Sequence, residues 1–265
     1  MLIFVREAMH DVRMLNKSDT IASFAKGLRV LECFGADHPR LSITDVSEMT
    51  ELDRATARRC LLTLHAHGYA NYDGKYFSLT PRVLRLGMGA LAALPLPQIV
   101  QPWLDQLSEQ IGQSCSVSIL DGTEIVYVAR AAQRRVMSIG LMPGSRLPAH
   151  CTSMGRVLLA ALPLEEAKKL IATSDLAPRT AFSLSGQDEI LAEITRVRDQ
   201  GYAVIDQEVE LGLRSIAVPV INSHGIVVAA LNSGMAAVAG ETGDIARNYC
   251  PALLKVQEKL RRVLN

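Results

Sequence analysis

The 265-residue sequence predicts an α+β protein in two unequal parts. Three observations carry that prediction. The first eighty residues hold three short helical patterns and then a tight-turn signal between two strand-like runs. A proline-capped helical run from Pro81 to Leu94 follows, ending against Pro95 and Pro97. Beyond it, helical and alternating patterns succeed one another in the order α-β-β-β-α-α-α-β-β-β-α. That order builds a six-stranded, mainly antiparallel sheet with helices on its faces. The expected parts are an N-terminal extension at 1–19, a first domain at 20–80, a linker helix at 81–95 and a second domain at 96–265.

In the first domain Ile21, Phe24, Leu28 and Leu31 share one helical face, with Ser18 or Asp19 to cap the helix and Gly35 to stop it. A second helix fits Ile43–Thr50, capped by Ser42, with Ile43, Val46 and Met49 inward. After the break Thr50-Glu51-Leu52, Asp53 caps a third helix running to His67, and Gly68 ends it. Its inner face carries Ala57, Cys60, Leu61 and Leu64. Ala55, Arg58, Arg59 and Leu62 lie opposite, with Arg54 and Thr56 at the edges. Tyr69–Tyr72 and Lys75–Leu79 then flank Asp73-Gly74, the strongest short hairpin signal.

Two short helices with a tight break and a following hairpin make a winged helix-turn-helix. Arginine can read guanine or grip phosphate, and small side chains can touch a thymine methyl. The candidate DNA contacts are therefore Arg54, Ala55, Thr56, Arg58 and Arg59, with Lys75 at the wing tip. A plain three-helix core with basic decoration is the bland alternative, and the hairpin argues against it.

Taken as a total, the whole-chain charge opposes this reading, because 28 basic residues nearly balance 27 acidic ones. Position resolves the conflict. Asp19 to Asp53 is net −4, Arg54 to Arg85 is net +5, and the part from Gly87 onward is net −1. The positive block sits on the third helix, the wing and the start of the linker.

Thr80-Pro81 opens the linker helix with a cap and a first-turn proline. Gly87 and Gly89 each cost about 1 kcal/mol in a helix interior, so the helix needs a partner, as a reader of two half-sites would supply. Gly87–Ala92 matches a loose GxGxxA, but no strand precedes it and a dinucleotide site is rejected.

Other chemistries find little support. Five scattered cysteines give neither a disulfide framework nor a zinc spacing. No apolar run reaches a membrane span, and the N-terminus lacks the marks of a signal peptide, so the cytoplasm is the expected location. Met9 and Met14 offer alternative starts. GxSxG and HExxH are absent, and His65-x-His67 has no third ligand nearby. Cys151 beside His150 is a poor nucleophile pair, since loop neighbours seldom face one another. No cofactor, metal or catalytic residue is expected.

Polar residues do border the apolar strands of the second domain: Thr152 and Ser153 at a helix start, Ser215 at a strand start and Asn232-Ser233 at a strand end. A helix N-terminus suits a carboxylate, which Arg134, Arg135 or Arg214 could neutralise. Plain helix capping explains Thr152 and Ser153 equally well. Three readings remain open: a ligand-controlled DNA-binding regulator, a small-acid-metabolising enzyme with an N-terminal docking module, and an interaction adaptor. The missing catalytic constellation disfavours the enzyme.

Several segments together resemble the isocitrate-lyase-regulator (IclR) family of bacterial transcription factors. They are Leu41–Thr44, Arg54–Leu61, Gly68-Tyr69, Asp73-Gly74, Leu79–Leu84, Gly144–Arg156, Asp206–Glu208 and Gly212–Pro219. Cys151–Arg156 and Leu213–Pro219 look most like the branch controlling protocatechuate, 4-hydroxybenzoate and β-ketoadipate catabolism. The resemblance implies a winged helix, a linker helix and a GAF-like effector-binding domain. It implies homodimers that can form tetramers, a palindromic duplex operator and, in an activator, RNA polymerase as a partner. It also implies a small organic, often aromatic, acid as effector, held by Ser153, Met154, Leu213, Ser215, Asn232 and Gly234. Relatives that bind glyoxylate or pyruvate have an acidic residue where this chain has Ile205, so a more apolar ligand is expected.

Overall fold

The structure is a computed structural model that describes residues 19–35, 38–87, 95–133, 140–237 and 242–265. The chain divides into two compact units at Ala93/Leu94.

In the first unit, α1 spans Ala22–Glu32, α2 Ile43–Thr50 and α3 Arg54–Ala66. Strands β1 (Ala70–Tyr72) and β2 (Phe77–Leu79) form an antiparallel hairpin. Helix α2 has the expected bounds because its cap is complete: the Ser42 side chain accepts from Asp45 N–H, and Asp45 accepts from Ser42 N–H. Glu51 then turns the chain in the left-handed region at φ 56°. Asp53 caps α3 by accepting from the Thr56 N–H at 2.9 Å. The hairpin turn is longer than the two-residue turn expected. Asp73 accepts from the N–H groups of Lys75 and Tyr76, which closes a four-residue loop. Leu41 bonds reciprocally with Phe77, a third short pairing not expected from local sequence.

The core of this unit is Val30, Leu41, Val46, Ala57, Leu61, Ala70 and Phe77. The structure departs from expectation at the cap of α1 and at Met49. Helix α1 begins at Ala22 with Ile21 as its N-cap, not Asp19, and that cap has no side-chain bond. Its apolar stripe is not this unit's core face. Ile21 is 71% and Phe24 66% exposed, Leu28 is also exposed, and Val30 supplies the buried contact instead. Met49, expected inward on α2, is exposed as well.

Past Leu79 the backbone makes a 3₁₀ turn at Pro81–Val83 and is helical at 84–87. The rest of the expected linker helix, with most of the GxGxxA match, lies outside the described residues.

The second unit opens with α4, Pro95–Ile111. Pro95 and Pro97 begin this helix, where first-turn N–H groups have no intrahelical acceptor to lose. Strands β3 (Ser114–Asp121), β4 (Glu124–Ala131) and β5 (Arg146–Pro148) follow. Then come α5 (Ser153–Ala161), α6 (Leu164–Thr173), α7 (Gln187–Gln200), β6 (Ala203–Asp206), β7 (Leu213–Ile221), β8 (Val227–Ala236) and α8 (Thr242–Arg261). The six strands form one antiparallel sheet in the order β5-β4-β3-β8-β7-β6. The expected third strand, Val136–Leu141, falls mostly outside the described residues. The observed third strand is β5, in a stretch expected to be loop. Its pairing with β4 is its only signature, and such a partner cannot be seen in three residues flanked by glycine and proline turns.

Strand periodicity explains the layers. Cys115, Val117, Ile216, Val218, Val220 and Leu231 pack with Val100, Leu104, Leu107, Leu253 and Leu260 of α4 and α8. Ala217 and Ala230 pack on the opposite face with Met154, Leu159, Ile171, Ile190 and Ile194 of α5, α6 and α7. Ser114, Ser116 and Ser118 alternate with the first set on β3. Ser118 Oγ accordingly donates to Met154 Sδ across that second layer at 3.1 Å.

Candidate nucleic-acid interface and effector cleft

Helix α3 presents Arg54, Ala55, Arg58 and Arg59 to solvent. The Asp53 cap aligns its N-terminal turn, and the Thr56 contacts hold the Asp53 carboxyl below its ordinary range. Thr56 differs from its neighbours. It is 7% exposed, and its hydroxyl accepts from Arg59 Nη2 at 3.1 Å. It therefore positions Arg59 and leaves little surface for a base. Lys75 is exposed in the wing loop, with its Nζ 4.9 Å from the centre of the Tyr76 ring. Arg40 packs on the same ring and pairs with Asp73, so the wing carries a second cation that local sequence did not assign to it. His65 Nδ1 lies 2.9 Å from the Ala70 carbonyl, which fixes the helix against the wing rather than offering a metal ligand.

In the second unit, all six expected effector residues line one cleft: Ser153, Met154, Leu213, Ser215, Asn232 and Gly234. Helix α5 supplies the first two, β7 the next two and β8 the last two. Ser215 Oγ donates to Ser153 Oγ at 2.9 Å. Thr152 also lines the cleft and caps α5, accepting from Gly155 N–H at 3.1 Å. Capping and cleft-lining thus coincide at one residue. Nearly all of α5 is buried, and Gly155 lies so close to Ala149 that a Cβ there would sit 2.1 Å from its carbonyl oxygen.

Sequence reasoning missed several walls of the cleft: Ser114, Tyr127, Arg130, Leu141, Leu147 and Val209. Tyr127 and Arg130 are three residues apart and would face opposite ways on a regular strand. A bulge changes that. Val117 pairs with Ala129 but Ser118 pairs with Tyr127, so Val128 is extra and both polar side chains reach the cleft. Burial pushes the Tyr127 phenol up to about 12, which keeps it neutral.

Of the arginines expected to neutralise a carboxylate, Arg214 is paired with Asp206 at 2.7 Å, and Arg134 and Arg135 lie outside the described residues. Ile205 is buried opposite Ser215 but does not line the cleft. Cys151 is fully buried and its thiol is raised to about 11, conditions opposite to those of a nucleophile. Among the described residues, no cluster of three His, Cys, Asp or Glu side chains suits a metal, and no helix is long and apolar enough to cross a membrane.

Comparison with known proteins identifies the family of each unit. Residues 23–74 match the IclR helix-turn-helix domain, and residues 88–261 match the bacterial transcriptional regulator IclR C-terminal domain. The chain is 41% identical to the Pca regulon regulatory protein of Pseudomonas putida, over 91% of this chain and 84% of that protein. It is 40% identical to the p-hydroxybenzoate hydroxylase transcriptional activator of Acinetobacter baylyi, over 84% of each. The crystal structure of an Acinetobacter PobR inducer-binding domain, a double mutant in complex with 3-hydroxybenzoic acid, matches with 33% identity and a TM-score of 0.60. It covers 63% of this chain and 98% of that one. A DNA-reading helix with its wing and a polar cleft in an antiparallel sheet are thus two parts of one regulator, and the chain belongs to the IclR family of bacterial transcriptional regulators.

Proposed function

We propose that this chain controls transcription of an aromatic-acid catabolic operon, with an aromatic acid as effector in the cleft between α5 and the sheet. The observation that carries this reading is the convergence of Ser153, Met154, Leu213, Ser215, Asn232 and Gly234 on one cleft with apolar walls at Leu141, Leu147 and Val209. Such a cleft suits a flat ring with a few polar substituents. The named roles of the Pseudomonas and Acinetobacter relatives support the ligand class. On the DNA side Arg54, Ala55, Arg58 and Arg59 enter the major groove, and Lys75 grips phosphate. The effector acts by binding one arrangement of the DNA readers better than the other.

The active species in this reading is a homodimer on a palindromic operator. Ile21, Phe24 and Leu28 of the α1 stripe, with Leu84 and Leu86, leave an exposed apolar face on the DNA-binding unit. The same face borders an open apolar groove lined by Leu31, Cys60, Leu64 and Tyr69. A second copy of the chain would cover it and set the half-site spacing.

A thermal-shift screen of hydroxybenzoates and protocatechuate, followed by gel shifts on upstream DNA with and without each hit, tests the proposal. A stabilising acid that also alters duplex binding is expected. Stabilisation by none of these acids, or duplex binding indifferent to all of them, overturns it.

A further inference from the structure

We infer that Arg130 is the anion anchor of the cleft, and that Asn232 reads a hydroxyl on the ligand ring, so that the site selects hydroxylated aromatic carboxylates over their neutral amides and over the unsubstituted acid. The inference rests on the effector reading above and assigns the atoms that make the selection.

The sheet register places three polar side chains in one row. Arg130 on β4 lies opposite Ser116 on β3, and Ser116 lies opposite Asn232 on β8. Arg130 Nη1 donates to Ser116 Oγ at 2.9 Å, which fixes one edge of the guanidinium. A guanidinium has five N–H donors in a planar fork, and the rest of the fork has no acceptor among the described residues. No carboxylate of the described residues lies within ion-pairing distance of it, whereas Arg214 and Arg156 are both paired. A half-buried cation lining a cleft, with no counter-charge among the described residues, is matched by an anionic ligand, and a planar fork matches a carboxylate.

The far end of the row has the opposite need. Asn232 is 9% exposed, and its buried Oδ1 has no hydrogen-bond donor among the described residues. A buried acceptor left alone is costly, and a ring hydroxyl supplies the missing donor. Two strand spacings, about 10 Å, separate the backbones of Arg130 and Asn232. The Arg130 fork reaches Ser116, the cross-strand partner of Asn232, so both groups face the same stretch of the cleft. The neutral Tyr127 phenol and the Ser153–Ser215 hydroxyl pair add polar contacts along the walls.

The test is isothermal titration of the full chain with 3- and 4-hydroxybenzoate, the two corresponding hydroxybenzamides, and benzoate. Wild type should bind the better hydroxybenzoate at least about tenfold more tightly than its amide, the scale of one charge-assisted hydrogen bond. Arg130→Met should lose roughly ten- to a hundredfold for the acid and change little for the amide. Asn232→Leu should erase the preference for hydroxybenzoate over benzoate. Wild type that binds the amide as well as the acid overturns the anchor, whatever the variants do. So does a folded Arg130→Met with an unchanged acid-to-amide ratio. An undiminished hydroxyl preference in Asn232→Leu overturns the second assignment. Failure of wild type to bind any of the five, and protocatechuate as well, overturns the effector reading itself.

Discussion

The guanidinium of Arg156 meets the carboxylate of Glu208 at 2.7 Å inside the effector domain, with both side chains less than a tenth exposed. Arg156 lies one turn beyond Ser153 and Met154 on α5, and Glu208 precedes Val209 in the segment leading to Leu213, so the pair joins two walls of the cleft. The contact is further tied down. Arg156 Nε donates to the His150 carbonyl, and the Leu184 N–H donates to Glu208. Removing one member of a buried pair strands the other charge, at a cost of about 3–5 kcal/mol. Arg156→Met should therefore destabilise the effector domain by about that much, and Glu208→Gln by less, because an amide oxygen still accepts. Urea unfolding followed through Trp103, the single tryptophan, which packs on the α4/α8 core, reads the difference.

Acid should weaken the fold through His150. Its ring is buried, both nitrogens lack partners among the described residues, and burial with the nearby Arg156 charge lowers its pKa from 6.5. A lowered folded pKa means that only the unfolded chain takes up the proton near pH 6.5. His150 is therefore neutral ground above about pH 7, and stability falls as pH drops below 6.5. Glu208 acts the other way. Burial outweighs Arg156 and raises its pKa, so its ionised form is penalised at neutral pH and relieved as pH falls through the folded pKa. Melting temperatures from pH 7.5 to 5.5 should decline in wild type and flatten in His150→Asn. Parallel profiles for the two proteins would exclude this role for His150.

Gly155 has room for nothing larger. A Cβ would stand 2.1 Å from the Ala149 carbonyl oxygen and 2.4 Å from its Cα, both backbone atoms that no side-chain rotation can move. Gly155→Ala should cost about 1–3 kcal/mol by overpacking. A melting temperature equal to that of wild type would show that the loop before α5 yields freely.

On the DNA side, Arg58 and Lys75 should separate specificity from affinity. Arg58→Ala is expected to lose about 1–3 kcal/mol on the specific operator and little on random duplex. Lys75→Ala should weaken all duplexes alike and reduce the salt slope of binding by about one. Gel shifts at several salt concentrations compare them, and swapped behaviour would exchange their roles.

Self-association through the α1 stripe is tested by Phe24→Asp. Sedimentation equilibrium should show it shifted toward monomer, with the effector domain still folded. An unchanged mass would place the contact elsewhere.

Features set by near neighbours along the chain were readable before the fold was known. Helix α2 was legible to the residue because Ser42 and Asp45 form its capping box within one turn. The family resemblance collected six cleft residues from three elements. Only the tertiary structure decided what depends on partners far along the chain. The shared face of the α1 stripe was legible, but its exposure was not, because periodicity tells which residues share a face, not what covers it. Strand β5 and the Leu41–Phe77 bridge were invisible because pairings of one to three residues have no local signature. Arg130 was passed over in favour of Arg134, Arg135 and Arg214 for the same reason. A one-residue bulge against β3, set by cross-strand register rather than local sequence, reverses the facing of everything beyond it and brings Tyr127 and Arg130 to one side.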